Sequence, residues 1–174
     1  SSILQRIPAT LLLTISSLII AVAISIPIGI ISATRQYSAW DHIGMVGALL
    51  GVSMPSFWFG LLVMYFFSIK LRWLPATGMG HIALGAMDVL KHLILPSLTL
   101  GFGMAAMTTR LTRSSMLDVV RQDYIRTARA KGLPERIVVY RHAFRNALIP
   151  IVTHIGTQFG SLLGGAVVVE TIFA

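Results

Sequence analysis

No cysteine occurs anywhere in this sequence. Disulfide staples and thiolate metal sites are therefore excluded, and cysteine usage gives no reading of redox compartment. Charge is also scarce: 11% of residues are Asp, Glu, Lys or Arg, where a soluble domain carries about 25%. Acid is the scarcer part, with 6 carboxylates against 14 Lys and Arg. No phosphate-binding loop of the form G-x-x-x-x-G-K-[ST] is present, since the neighbours Lys131-Gly132 run in the wrong order. Nucleotide binding through that device is excluded. No Ser/His/Asp grouping and no metal-ligand spacing is found, so nothing points to an enzyme, and Asp41-His42 reads as a turn or cap. Fixed-period repeats and low-complexity linkers are missing too, which leaves one domain over residues 1–174.

What is there is apolar. Hydrophobic residues make up 55% of the chain, and mean hydropathy is +0.80, which places the chain in the membrane class. Residues 7–33, 43–69, 93–109 and 148–173 are predominantly apolar and of about the 17–25-residue length, or longer, that crosses a hydrocarbon layer. The expected fold is all-α, a polytopic transmembrane bundle of four spanning helices. Pro27 predicts a kink late in the first span. Pro55 predicts a break or bend in the second, either a tolerated kink or a bend lining a translocation path. Pro96 is expected at the start of the third span, with Arg110 and Arg113 closing it. Gly47 and Gly51, with Gly44 nearby, and the stripe Gly156, Gly160 and Gly164 predict faces for close helix packing.

The connections are polar. Residues 34–42, with Arg35, Tyr37 and Trp40, suit a turn at headgroup level. Residues 70–92 carry turn signals at Pro75 and Gly78, an interfacial Trp73, and a short surface helix expected over 81–90. His154 falls one turn from one end of the fourth span, where it is wetted or faces a pathway. Glu170 falls near the other end, as a gate or docking carboxylate or one solvated at the interface.

Nine of the 14 basic residues lie between Arg110 and Arg145. Clustering beside apolar spans favours membrane topology over nucleic-acid binding. With that loop on the cytoplasmic side, alternation puts residues 34–42 inside and residues 70–92 and the N-terminus outside. The tally is ten basic residues inside and four outside, in line with the positive-inside rule. No signal peptide is visible, so an outer N-terminus implies at least one upstream spanning helix.

Read as helix, Leu117, Val120, Tyr124 and Ala128 share one face of this loop, and Arg121, Arg126, Arg129 and Lys131 point elsewhere. Gly132 predicts a helix stop in the left-handed conformation, and Pro134 predicts the first turn of another helix. That second helix would turn Ile137, Tyr140, Phe144 and Leu148 inward, flanked by Arg136, Arg141, His142 and Arg145. Two readings stay open. An electrostatic lipid anchor needs charge but no particular turn, whereas a compact tip at residues 132–134 suits insertion into a cleft of another protein.

The stretch Asp123-Tyr124-Ile125-Arg126-Thr127-Ala128-Arg129-Ala130-Lys131-Gly132 resembles the cytoplasmic "EAA" loop of ABC importer permeases. Arg141-His142-Ala143-Phe144-Arg145-Asn146-Ala147 resembles the dipeptide, oligopeptide and nickel branch of that family. So do the stretch from Gly51 through Pro55 to Trp58, Trp73-Leu74-Pro75, and the closing Glu170-Thr171-Ile172-Phe173. The family's Glu-Ala-Ala falls on Arg126-Thr127-Ala128, so its acidic residue is absent here. The family's Ile-x-Leu-Pro falls on His142-Ala143-Phe144-Arg145.

The resemblance implies a permease subunit of an ATP-driven importer, matching helices two to five of six and incomplete at both ends. Its coupling loop would span 117–148, with Tyr124, Arg126, Thr127, Ala128, Lys131, Gly132, Leu133, Pro134 and Glu135 meeting the ATPase. It implies no cofactor on this chain, Mg-ATP being held by two partner ATPase subunits. Further partners would be a second, homologous permease subunit, an external solute-binding protein and the lipid of a bacterial or archaeal cytoplasmic membrane. Substrates implied are dipeptides or oligopeptides, nickel or a nickel chelate, or glutathione. Two rivals are an ion-coupled secondary transporter, which calls for midplane ionisable groups and a repeated half, and a non-transporting assembly protein that uses the glycine faces as scaffolding.

Overall fold

The computed structural model describes the backbone of residues 2–75 and 86–173, and side-chain surroundings for residue 8 and residues 10–75 and 87–162. Among the described residues every regular element is helical. Helix α1 spans Ser2–Thr34 and continues through Pro27. Helix α2 spans Ala39–Ser53. Helix α3 spans Ser56–Met64 and runs on as a π-helical segment, Tyr65–Lys70. Helix α4 is Ala86–Val120 and α5 is Asp123–Ala130. A short α6, Glu135–Ile137, leads through π-helical Val138–Phe144 into α7, Arg145–Phe173.

The turn into α2 is built by its own polar residues. Tyr37 takes a positive φ of 63°, and the Ser38 side chain caps α2 by accepting the Asp41 N–H at 3.3 Å. At the other end, Met54 is extended because the following proline ring disfavours helical geometry. Pro55 then leads into α3, and the two helices meet at 105°.

Such a pair could cross the membrane as a broken span or turn back. Its contacts along α4 decide. Asp41 reaches Arg113, Gly51 lies against Ala106, Phe59 stacks on Phe102 at 4.3 Å, and Val63 shares a buried cluster with Leu95. The chain therefore advances steadily from residue 113 to residue 95 of α4, about 27 Å at 1.5 Å per residue. That is close to the hydrocarbon thickness of about 30 Å, so the broken pair is one span.

The same tracking orients the remaining helices. Ser16 bonds Ser97 at 2.6 Å, Gly101 lies against Ser17 and Ile20, and Gly29 against Thr112; α1 and α4 run parallel. Ile151 of α7 joins Ile30 and Met116 in one cluster, and Leu162 joins Ala21 and Met104 in another; α7 runs antiparallel to both. The alternation drawn from the charge tally is thus met by the packing directions.

Burial differs from that of a soluble bundle, because small hydroxyl residues share the interior with the apolar core. The interior of the spans holds Thr14, Ser17, Ser25 and Ser32 of α1 against Thr99, Thr108, Thr109 and Thr112 of α4. Leu12, Ile15, Ile19, Ile43, Leu49 and Leu61 are exposed. Lipid tails are as apolar as leucine, so burying leucine gains little there. Close backbone approach holds such helices instead, as where Gly29 meets Thr112 and Gly101 meets Ser17.

Several expectations are corrected. Helix α4 is described from Ala86 on, so Pro96 lies inside it and residues 86–90 are continuous with it rather than a separate surface helix; residues 81–85 lie outside the described residues. Arg110 and Arg113 do not close this helix, which continues to Val120. In α2 the packed face is Asp41, Gly44, Ala48 and Gly51; Gly47 faces open space, as do Gly156 and Gly160 on α7. Positions 164 and 170 lie outside the residues whose surroundings are described.

Candidate functional site

The basic loop folds as a hairpin docked on the ends of α1, α4 and α7 around Ala33, Met116 and Ile151. Its first limb begins where α4 stops at Val120 and the chain turns through Arg121 and Gln122. One helix from Leu117 to Ala128 is therefore not formed. The break rotates α5 so that Ile125 and Ala128 face inward, while Tyr124 is partly exposed.

Gly132 ends α5 as expected, with φ at +76°. Its N–H donates to the Arg129 carbonyl at 2.9 Å, and the Leu133 N–H donates to the Ala128 carbonyl at 3.4 Å. This pair of reversed bonds is the Schellman closure, which satisfies carbonyls the helix end leaves open. Pro134 sits one residue before the next helix rather than in its first turn, and its carbonyl accepts from Ile137 and Val138.

The second limb buries Val138, Val139, Ala143, Ala147 and Ile151; of the residues expected inward, Phe144 packs against them partly buried, Leu148 is half-buried, and Ile137 and Tyr140 are exposed. Two causes act together. Bonds in the π-helical segment reach i+5, and the wider turn brings residues five apart, such as Val138 and Ala143, to one face. Alanines at 143 and 147 also allow the limb closer to α4 than Tyr140 would. With Ile30, Ala33, Met116, Ile125 and Ala128 these residues form one core cluster under the hairpin.

Polar braces hold the two limbs together. Near the turn, Arg129 donates through Nε and Nη2 to the Glu135 carboxylate at 3.1 and 2.7 Å. That bond holds the Glu135 carboxyl below the usual carboxylate range and raises the Arg129 guanidinium. Near the base, the Asn146 side chain donates to the Tyr124 hydroxyl at 2.7 Å and to the His142 carbonyl at 3.1 Å. The hairpin is thus fixed at both ends and filled between.

The expected contact residues then sort by exposure. Arg126, Thr127, Lys131, Gly132, Pro134 and Glu135 are exposed around the tip. Ala128 is buried and Leu133 packs against the core cluster, so both shape the tip from beneath. Tyr124 mainly braces the hairpin base. The candidate pathway residue Pro55 is exposed at the 105° bend. His154 is half-buried and pairs with Gln158 at 2.9 Å. Among the described residues no three His, Asp or Glu side chains converge as metal ligands.

One linkage escaped the sequence reading. Asp41 does serve its turn, accepting the Tyr37 N–H at 3.0 Å. Its carboxylate is also only 2% exposed and takes two bonds from Arg113, from Nε at 2.7 Å and Nη2 at 2.8 Å. This two-point pair ties α2 to α4 just above the hairpin. Only a complementary charge 72 residues away signals it.

Residues 25–174 match the family model for the binding-protein-dependent transport system inner membrane component. The chain is 46% identical over 173 residues to the oligopeptide transport system permease protein AppB of Bacillus subtilis (strain 168), covering 98% of this chain and 55% of that protein. It is 49% identical over 168 residues to the glutathione transport system permease protein GsiC of Pectobacterium atrosepticum, covering 97% and 52%. It is 45% identical over 186 residues to the dipeptide transport system permease protein DppB of Alkalihalophilus pseudofirmus, covering 95% and 56%. The chain spans about half the length of these curated relatives.

Proposed function

This chain belongs to the family of binding-protein-dependent transport system inner membrane components, and from that membership we propose that it lines part of the pathway of an ATP-driven importer and couples it to separate ATPase subunits. The observation that carries this reading is the braced hairpin. It offers a rigid, basic tip at Arg126, Lys131, Gly132 and Pro134, and its other side is welded to the inner ends of three spanning helices. Movement of a partner holding the tip would pass directly into α1, α4 and α7. A lipid anchor has no need of such bracing.

The proposed assembly has two ATPase subunits binding Mg-ATP, a second homologous permease subunit and an external solute-binding protein, in a bacterial or archaeal cytoplasmic membrane. The open glycine positions 47, 156 and 160 are suited to the second permease subunit, and the Pro55 bend to the pathway wall. Relatives named for oligopeptide, dipeptide and glutathione transport support a peptide-class substrate ahead of nickel. Membership in this family does not favour an ion-coupled carrier or a scaffold.

The test uses the complete importer in sealed vesicles. A Lys131→Cys variant should crosslink to an ATPase subunit, and uptake should require ATP without an ion gradient. Gly132→Val should lower coupled uptake at least about tenfold, because a β-branched residue resists the left-handed backbone. Uptake driven by an ion gradient alone, or unimpaired transport with Gly132→Val, would refute the reading.

A further inference from the structure

Between the inner end of α1, the first turn of α2 and the second limb of the hairpin lies an open groove of about 500 Å³. Its floor is apolar, with Ile30, Ile31 and Val139. Trp40 and Tyr140 line it as well, 61% and 54% exposed. Two cations complete it, Arg35 from the α1–α2 turn and Arg136 from the hairpin.

Neither arginine is in an ion pair among the described residues. The one acidic residue lining the groove is Glu135, and both its oxygens are engaged by Arg129. The Thr34 hydroxyl is turned back to the Ile30 carbonyl at 2.9 Å. The groove therefore presents two unopposed positive charges over a greasy floor. It lies where the spans meet the inner surface, the depth at which Trp and Tyr side chains concentrate.

A small free anion would use the arginines but not the floor, and an apolar peptide would use the floor but not the arginines. A phospholipid with an anionic head uses both. The inner leaflet supplies anionic lipids, and each Lys or Arg at that surface gains attraction to them. We propose that this groove binds one anionic phospholipid of the inner leaflet, with Arg35 and Arg136 on its phosphate and its first acyl carbons over Ile30, Ile31 and Val139. Because one arginine belongs to the α1–α2 turn and the other to the hairpin, the lipid bridges the two. The proposal rests on the membrane placement of the chain and not on ATPase coupling, and its test reads lipid rather than transport.

The complete membrane complex would be placed in nanodiscs of phosphatidylcholine with a minor fraction of phosphatidylglycerol, and the lipid it retains on extraction would be measured by native mass spectrometry. The double variant Arg35→Gln/Arg136→Gln should retain phosphatidylglycerol about tenfold less or lower, given about fivefold per basic residue. Arg35→Lys/Arg136→Lys, which keeps the charge, should retain most of it, and Arg141→Gln should change nothing. In discs of phosphatidylcholine alone, added inorganic phosphate should not be retained. If the double variant does not assemble, a benzoylphenylalanine at position 140 of the otherwise native chain decides by its crosslink to lipid. Equal retention in the double variant, retention of free phosphate, or a crosslink from position 140 to an ATPase or second permease subunit would overturn the proposal.

Discussion

Asp41 is the one carboxylate that the described residues bury outright, and its cost is met by Arg113 and the Tyr37 N–H. Asp41→Asn should lower the stability of the solubilised complex by about 3 kcal/mol, the lower end for breaking a buried pair, because Arg113 keeps partial exposure. Thermal unfolding would read this. Adding Arg113→Gln should cost less than the two single losses summed, since the partners share one interaction. Glu135 behaves differently. Its carboxyl is depressed by the Arg129 bond, so the pair's contribution is fully present above the ordinary carboxylate range near about 4.3. It is lost only as pH falls below that, through the folded value. Both side chains are substantially exposed, which keeps the pair below about 1 kcal/mol. Hydrogen exchange at the Leu133 amide should therefore be unchanged by Glu135→Gln in strong acid and slightly faster than wild type at neutral pH.

At the scale of elements, the hairpin lives in water on one side and against helices on the other. Its buried apolar residues gain the full hydrophobic term, unlike those of the spans. Ile125→Ala should destabilise the hairpin by about 2–4 kcal/mol, as for other large-to-small core changes. Tyr140→Ala, at an exposed site, should leave hairpin stability within about 0.5 kcal/mol. Limited proteolysis at the Arg129–Lys131 segment would separate the two. Gly132 and Pro134 make the hairpin and its turn legible in the sequence, whereas spacing turns Ile137 and Tyr140 inward and the fold leaves them exposed. Period counting assumes a regular α-helix and a preference for burying large residues. A π-helical stretch breaks the first assumption, and a close contact made through Ala143 and Ala147 breaks the second.

For the whole molecule, the packing directions along α4 require that residues 121–145 and the segment from Leu71 to Pro75 lie at opposite ends of the bundle. These 174 residues hold no cysteine, so each cysteine placed in them is read as the labelling gained over the unsubstituted importer. In right-side-out vesicles of cells making the complete importer, Arg72→Cys should react with a membrane-impermeant maleimide. Lys131→Cys should react only after the vesicles are opened. Labelling of both from one side would contradict the broken-span topology.

Composition alone determined the membrane class and the all-helical fold, and Gly132 the place of the turn, because each depends on local residue type and on bilayer physics. The break at Pro55 was legible for the same reason: a proline acts on its immediate neighbours. Tertiary structure decided the rest. Which glycines meet a neighbour, Gly29, Gly44, Gly51 and Gly101 rather than Gly47, Gly156 and Gly160, depends on how each helix is rotated against the others. The Asp41–Arg113 pair and the groove between Arg35 and Arg136 join residues distant in the chain. No periodicity carries that information, since in lipid the hydrophobic pattern says little about which face looks inward.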